Sequence, residues 1–316
     1  MGRGTRGKTL AIKPVGAVVL AAALLLLLGL WAAPQAMTGG RAKELAERAL
    51  AEDRLGLPEG GDFSGAVLTV REPLQGSLPK GHHLVSATEK GLTSWFLLTE
   101  QPGGKGDFLY LGQSFGDEAA FSIADMGGEW GDTLIANIPT TGTGQTGPYH
   151  ESALYALGKD GPQVLYRSGF FLEPVGKIDT GFRLSAPERG FVVVENLHTG
   201  KADPVEVDII PQETLEDIYA RSGEQCPFTF SYAGDWNNFL SFEPVDTDGD
   251  GICELLAWEN AFLSSPFLPG SLNFGVFFTL LKYDPAAQGL SVVDSGFWAR
   301  YSSGETLEEY VANRWR

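Results

Sequence analysis

The chain has 316 residues, a formal charge of −17, 41 glycines and 18 prolines. That length holds one large domain or two ordinary ones. Gly and Pro together stay below the roughly 25–30% of low-complexity chains, so a turn-rich globular protein is expected. Four of the 23 cations, Arg3, Arg6, Lys8 and Lys13, precede the first apolar run, and the remaining chain is more acidic still. Such a body excludes nucleic acid as a partner, because phosphate backbones are held by Lys and Arg.

Residues 1–14 form a basic tail, and residues 15–33 follow without a single charge. Nineteen residues at a 1.5 Å rise span about 28 Å, close to the ~30 Å hydrocarbon core. The cations ahead of the run, against Glu44 and Glu47 mixed with Arg41, Lys43 and Arg48 behind it, place the N-terminus in the cytoplasm and the C-terminal domain outside. A signal-peptidase cut after Ala33 would put Trp31 at position −3, a poor site. The segment therefore reads as a single-pass transmembrane anchor in the cell membrane; the alternative is a cleaved signal and a secreted or periplasmic protein. Residues 34–61 read as a juxtamembrane helical stalk. Its apolar positions are mostly Ala, which predicts a solvated spacer.

From Asp62 onward, short runs of β-formers such as SWFLL (94–98), TLIANI (133–138), ELLAW (254–258) and GVFFTLL (275–281) alternate with turn residues. The pattern predicts a mainly β extracytoplasmic domain over 62–316, built from antiparallel sheets. Amphipathic helices are expected at Pro211 to Arg221 and at Glu305 to Trp315. Laying Asp125 on Asp246 aligns an acidic start, a Gly turn, a strand, a loop, two more strands and a final Ser-Gly-Phe. The two copies, about 121–172 and 242–299, predict related β-modules of propeller-blade or sandwich type.

The second copy opens with Asp246, Asp248, Asp250 and Glu254 at positions 1, 3, 5 and 9, with Gly249 and Gly251 at 4 and 6. These hard oxygen donors suit calcium, and the glycines let the backbone curl around a small centre. Without a cation the carboxylates repel, by roughly 4 kcal/mol for charges ~4 Å apart at an effective dielectric near 20. Position 12 is Ala257 and a strand follows, so the loop is not an EF-hand; the plainer alternative is a solvated acidic turn. Asp-x-Asp-Gly-Asp-Gly-x-x-Glu followed by Leu-Leu-Ala-Trp resembles the loop of FG-GAP/VCBS-type repeats, β-hairpin modules of surface and secreted proteins. The resemblance implies Ca2+ held by the side chains of Asp246, Asp248, Asp250 and Glu254 and by the carbonyl of Ile252. It implies adhesion to or recognition of a surface or extracellular ligand rather than catalysis. The first copy has Gly127, Glu129 and Thr133 at the places of Asp248, Asp250 and Glu254, so it is expected to have lost the ion.

Gly112-Gln113-Ser114-Phe115-Gly116 fits the G-x-S-x-G elbow of a serine hydrolase, with His150 and His198 downstream, and an exported hydrolase using Ser114 is the alternative function. The elbow needs a helix after the Ser and a parallel sheet, neither of which the pattern offers. Asp179-Thr180-Gly181 and Asp294-Ser295-Gly296 match the paired signature of aspartic proteases, but Asp294 aligns with Arg167 and Asp179 lies outside the repeat. His82 and His83 are adjacent and would point to opposite faces of a strand. Residues 141–147 lack the Lys-Ser/Thr of a phosphate loop and read as a flexible connection. Cys226 and Cys253 are either a disulfide or two free thiols.

Overall fold

A computed structural model describes residues 40–51, 65–101, 105–144, 147–158, 161–168, 173–176, 178, 180–186, 189–206, 210–223, 227–231, 241–301 and 303–315. The domain is mainly β, and its sheets are antiparallel, as the alternating runs and turns predict. β1 (Val67–Arg71), β2 (His82–Glu89), β3 (Leu92–Gln101) and β4 (Lys105–Phe115) form a meander. β5 (Ala120–Asp125), β6 (Asp132–Gly144), β7 (Gly147–Gly158) and β8 (Gly161–Ser168) form a second. The third sheet has β9 (Phe182–Ser185), β10 (Phe191–Asn196) and β11 (Lys201–Glu206), with β10 central. In the fourth, β12 (Thr229–Ser231) and β13 (Ser241–Val245) both pair with β14 (Glu254–Ser264), followed by β15 (Leu272–Asp284) and β16 (Gly289–Ala299).

The second sheet lies between the first and the fourth. Phe121, Leu134, Ile138 and Tyr155 face Leu84, Trp95, Leu97 and Leu111 of the first sheet. Ile135, Leu154 and Tyr166 face Leu255, Ala257 and Leu281 of the fourth. Burial on both faces is why β6, β14 and β15 read as near-continuous apolar runs rather than alternating ones. At its other end the fourth sheet packs Ala261, Leu263 and Phe277 against Phe182, Val192 and Val194 of the third. Two asparagines stitch these seams. Asn137 of β6 donates its side-chain amide to Phe242 O (2.8 Å) and accepts from Phe242 N (2.9 Å), covering the backbone of β13. Asn196 of β10 donates to Ser295 Oγ at 2.8 Å.

The two stretches aligned in sequence run through β5–β8 and β13–β16, each a four-stranded antiparallel meander. Both carry a bulge in the last hairpin, after Leu154 and after Leu280. The first sheet shares the meander and a bulge between Trp95 and Phe96, so the plan occurs a third time. Ser114, Ser168 and Ser295, each fully buried, end the three bulged strands or lie near their ends.

Helix α1 (Gly40–Ala51) does not behave as a solvated spacer: Ala42, Leu45, Ala46 and Ala49 are buried against Leu68, Val70, Val85, Phe96 and Leu98. Small side chains let the helix lie close to the sheet, which an estimate from side-chain size misses. Helix α2 (Gln212–Ser222) buries Leu215 and Ile218. Helix α3 (Leu307–Trp315) lays Val311 and Trp315 on Leu256, Phe278 and Trp298, the opposite face of the fourth sheet. A capping box starts it, with Glu309 N donating to Thr306 Oγ1 (3.2 Å) and Thr306 N to Glu309 Oε2 (2.9 Å). Among the described residues no helix is long and apolar enough to cross a membrane; the apolar run 15–33 lies outside them.

Candidate functional site

The loop 246–253 joins β13 to β14. Gly249 (φ 76°) and Gly251 (φ 84°) take left-handed conformations that L side chains resist, which turns successive N–H groups inward. Asp246 accepts from Gly249 N (2.7 Å) and Gly251 N (3.1 Å) through its two oxygens. Asp248 accepts from Asp250 N (3.2 Å), and Asp250 accepts from Ile252 N (2.7 Å). Glu254, only 2% exposed, accepts from both Thr247 N (3.0 Å) and Thr247 Oγ1 (2.7 Å) through Oε2.

Carboxylate oxygens of Asp246, Asp248 and Glu254 lie within 4.8 Å of one another. Asp250 stands outside that cluster, with its Oδ2 4.0 Å from Lys282 Nζ. Ile252 uses its N–H on Asp250 and its side chain on Gly127, where an added Cβ would meet Ile252 Cγ2 at 3.0 Å. The spacing of acids in sequence gives no sign of Lys282. Its Nζ lies 2.7 Å from Glu254 Oε1 and 3.3 Å from Asp248 Oδ2. β15 delivers it, because Leu281 pairs with Leu255 and so sets Lys282 beside the start of β14.

The electrostatics follow from these contacts. Burial alone would favour the neutral acid at Glu254, but hydrogen bonds from Lys282 and Thr247 outweigh it and hold the carboxyl below its ordinary range. Asp248 is likewise lowered, by the Asp250 N–H and then by Lys282. Lys282 is raised, chiefly by Glu254. The Cys253 thiol is pushed up by burial and by the carboxylates of Asp246, Glu254, Asp125 and Asp250.

The equivalent loop of the first repeat, residues 126–131, packs directly on this one. Cys253 N donates to Asp125 O at 2.7 Å, and Trp130 and Tyr283 stack with ring centroids 4.9 Å apart. Gly128 (φ 57°) lies so close to Tyr283 that any Cβ there would overlap the ring. Gly127, at the place of Asp248, together with Gly128 and Trp130 makes the first loop a packing surface.

Ser114 is fully buried; its Oγ accepts from Trp95 Nε1 (2.9 Å) and donates to Gly116 O (3.0 Å). The chain then turns at Gly116–Asp117 into β5, with no helix after the serine. His150 sits on β7 of the second sheet, and His198 in the turn after β10 of the third. Asp294 is committed to Arg314, at 2.7 and 2.8 Å, and to Trp315 Nε1 at 2.9 Å; Asp179 lies outside the described residues. His82 and His83 diverge along β2, to Thr99 Oγ1 (3.1 Å) and Glu100 Oε1 (2.9 Å). The segment expected as a flexible connection continues β6 to Gly144 and begins β7 at Gly147. Cys253 is a free, half-buried thiol, and Cys226 lies outside the described residues. A scan against models of known protein families finds no match, and a search of curated proteins finds none either.

Proposed function

We propose that this protein is an exported, membrane-anchored β-repeat protein with a non-catalytic binding or accessory role, whose 246–254 loop takes up calcium as a structural ion. The observation that carries the calcium reading is the convergence of Asp246, Asp248 and Glu254 within 4.8 Å, one of them almost fully buried. A buried carboxylate facing two others needs positive charge beside it; Lys282 supplies one such charge at 2.7 Å, and a divalent ion would offset more of the negative charge that remains. All the donors are hard oxygens, which fits a calcium ion. Asp246, Asp248 and Glu254 would hold the ion and Asp250 would add charge at the rim. The ion would neutralise the loop and fasten β13 to β14, next to the seam between the two repeats.

The export reading rests on the charge-free run 15–33 behind four cations. The non-catalytic reading is supported by Ser114, whose hydroxyl is spent on Trp95 and Gly116 inside the first sheet. Thermal melts of the full chain in calcium and in chelator test the ion. At a hundredfold excess over Kd, binding contributes about 2.7 kcal/mol, a rise of several degrees. Identical curves would refute it. Protease shaving of intact cells tests the export; survival of residues 65–315 until lysis would refute that part.

A further inference from the structure

We propose that one ordered water is built into the seam between the second and fourth sheets, held by Ser168 Oγ of β8 and His150 Nδ1 of β7. Ser168 is fully buried and His150 Nδ1 is shut off from solvent, yet among the described residues neither atom has a hydrogen-bond partner. Buried polar atoms left unmatched cost free energy, and in folded proteins they are met by other protein groups or by trapped water. The strand register sets the two side by side: Ser152 pairs with Ser168, which makes His150 the diagonal neighbour of Ser168 on the same face. That face is turned to the fourth sheet. Ser152 Oγ donates to Asn137, which holds the backbone of Phe242, and Tyr166, two residues before Ser168, meets the Phe242 ring edge-on.

Burial pushes His150 below its ordinary value and so keeps the imidazole neutral, with one nitrogen that donates and one that accepts. The serine hydroxyl does both. A partner that donates and accepts at once serves two such groups, and water is the smallest. Diagonal neighbours carry Cβ atoms a little under about 7–8 Å apart, and one water spans about 5.5 Å between two anchors. The Tyr166 phenol stands beside Ser168, with Glu259 of β14 in electrostatic reach, which offers the water a third contact. Even a bond from that phenol to Ser168 would leave the serine proton and His150 Nδ1 to be matched. The corresponding serines of the other two meanders are matched directly, Ser114 by Trp95 Nε1 at 2.9 Å and Ser295 by Asn196 Nδ2 at 2.8 Å. At Ser168 the water takes that part, a third polar stitch beside those of Asn137 and Asn196.

The test is oxygen-17 relaxation dispersion of solvent water with the full chain, which counts waters held for longer than the protein tumbles. The unmodified protein is compared with Ser168→Ala and His150→Phe, each of which removes one anchor. Both variants should lose the amplitude of one long-lived water. Ser168→Ala should also lower the melting temperature by roughly 2–6 °C, whereas stripping a dry, unmatched hydroxyl would leave it unchanged or raise it. An undiminished amplitude in either variant, or a melting temperature that does not fall in Ser168→Ala, would overturn the bridge. Should a variant fail to fold, a high-resolution crystal structure of the unmodified chain decides: a water within hydrogen-bond distance of both atoms supports it. A dry seam, with Ser168 bonded to His150 or to Tyr166 alone, overturns it.

Discussion

Asn137→Ala isolates one of the polar contacts that join the second and fourth sheets. Asn137 mimics a neighbouring strand for β13, donating to Phe242 O at 2.8 Å and accepting from Phe242 N at 2.9 Å. Phe242 is buried, so both backbone groups lose a partner in a place where water does not readily replace it. A buried donor or acceptor left unmatched costs about 1–3 kcal/mol, and two of them, with some relief because Asn137 itself is half-buried, give about 2–4 kcal/mol. At about 2–4 °C per kcal/mol for a domain of this size, the melting temperature should drop by roughly 5–15 °C. Ser152→Ala is the internal comparison: its hydroxyl reaches Asn137 Oδ1 at 3.3 Å, a long bond, and its removal should cost less than about 1 kcal/mol. Differential scanning calorimetry of the three proteins measures both. A drop of under about 2 °C for Asn137→Ala, or a larger one for Ser152→Ala, would refute the view that this amide carries the seam.

Three further predictions follow from individual contacts. Asp294 is held below its ordinary range by Arg314, despite partial burial, so its folded state binds protons less readily than its unfolded state. Its stabilisation is therefore present above about pH 4 and fades as pH falls through the lowered value; Asp294→Asn should flatten the acid limb of a melting-temperature profile, and an unchanged limb would contradict this. Gly128→Ala should destabilise by more than the ~1 kcal/mol of a left-handed alanine, because its Cβ displaces Tyr283, and near-ultraviolet circular dichroism should report the broken Trp130–Tyr283 pair. Ser114→Ala should cost about 1–3 kcal/mol by stripping Trp95 Nε1 of its acceptor, and the unmodified protein should not label with a fluorophosphonate at Ser114. Labelling at Ser114 would revive the hydrolase.

The strands and the acidic loop were readable in sequence because their signals are local. Apolar runs ended by Gly, Asn and Asp mark strands, and Asp-Gly spacing fixes a loop whose backbone serves its own carboxylates. Lys282 carried no such mark: it lies 28 residues beyond Glu254 and comes to it only through the pairing of β14 with β15. Asp250 matched the spacing as well as Asp248 did, yet its carboxylate turns to the rim. The third occurrence of the meander was hidden because the connection between β1 and β2 holds no acidic turn, leaving a terminal Ser-Phe as the trace. The order of packing, with the second sheet between the first and fourth, depends on side chains meeting across sheets and has no linear signature.

If residues 15–33 anchor the chain in a membrane, as proposed, the docking of α1 on the first sheet has a mechanical meaning. A free helix of this kind would act as a spar holding the domain away from the bilayer. With α1 docked on the sheet, only residues 34–39 separate the apolar run from the helix in sequence, and six residues can span at most about 20 Å. The first sheet would then ride close to the lipid surface. The acidic loop 246–253, on the far side of the second sheet, would be displaced from the first sheet by two layers of roughly 10 Å each. A pull on that loop would reach the membrane through sheet-to-sheet packing rather than along a flexible tether.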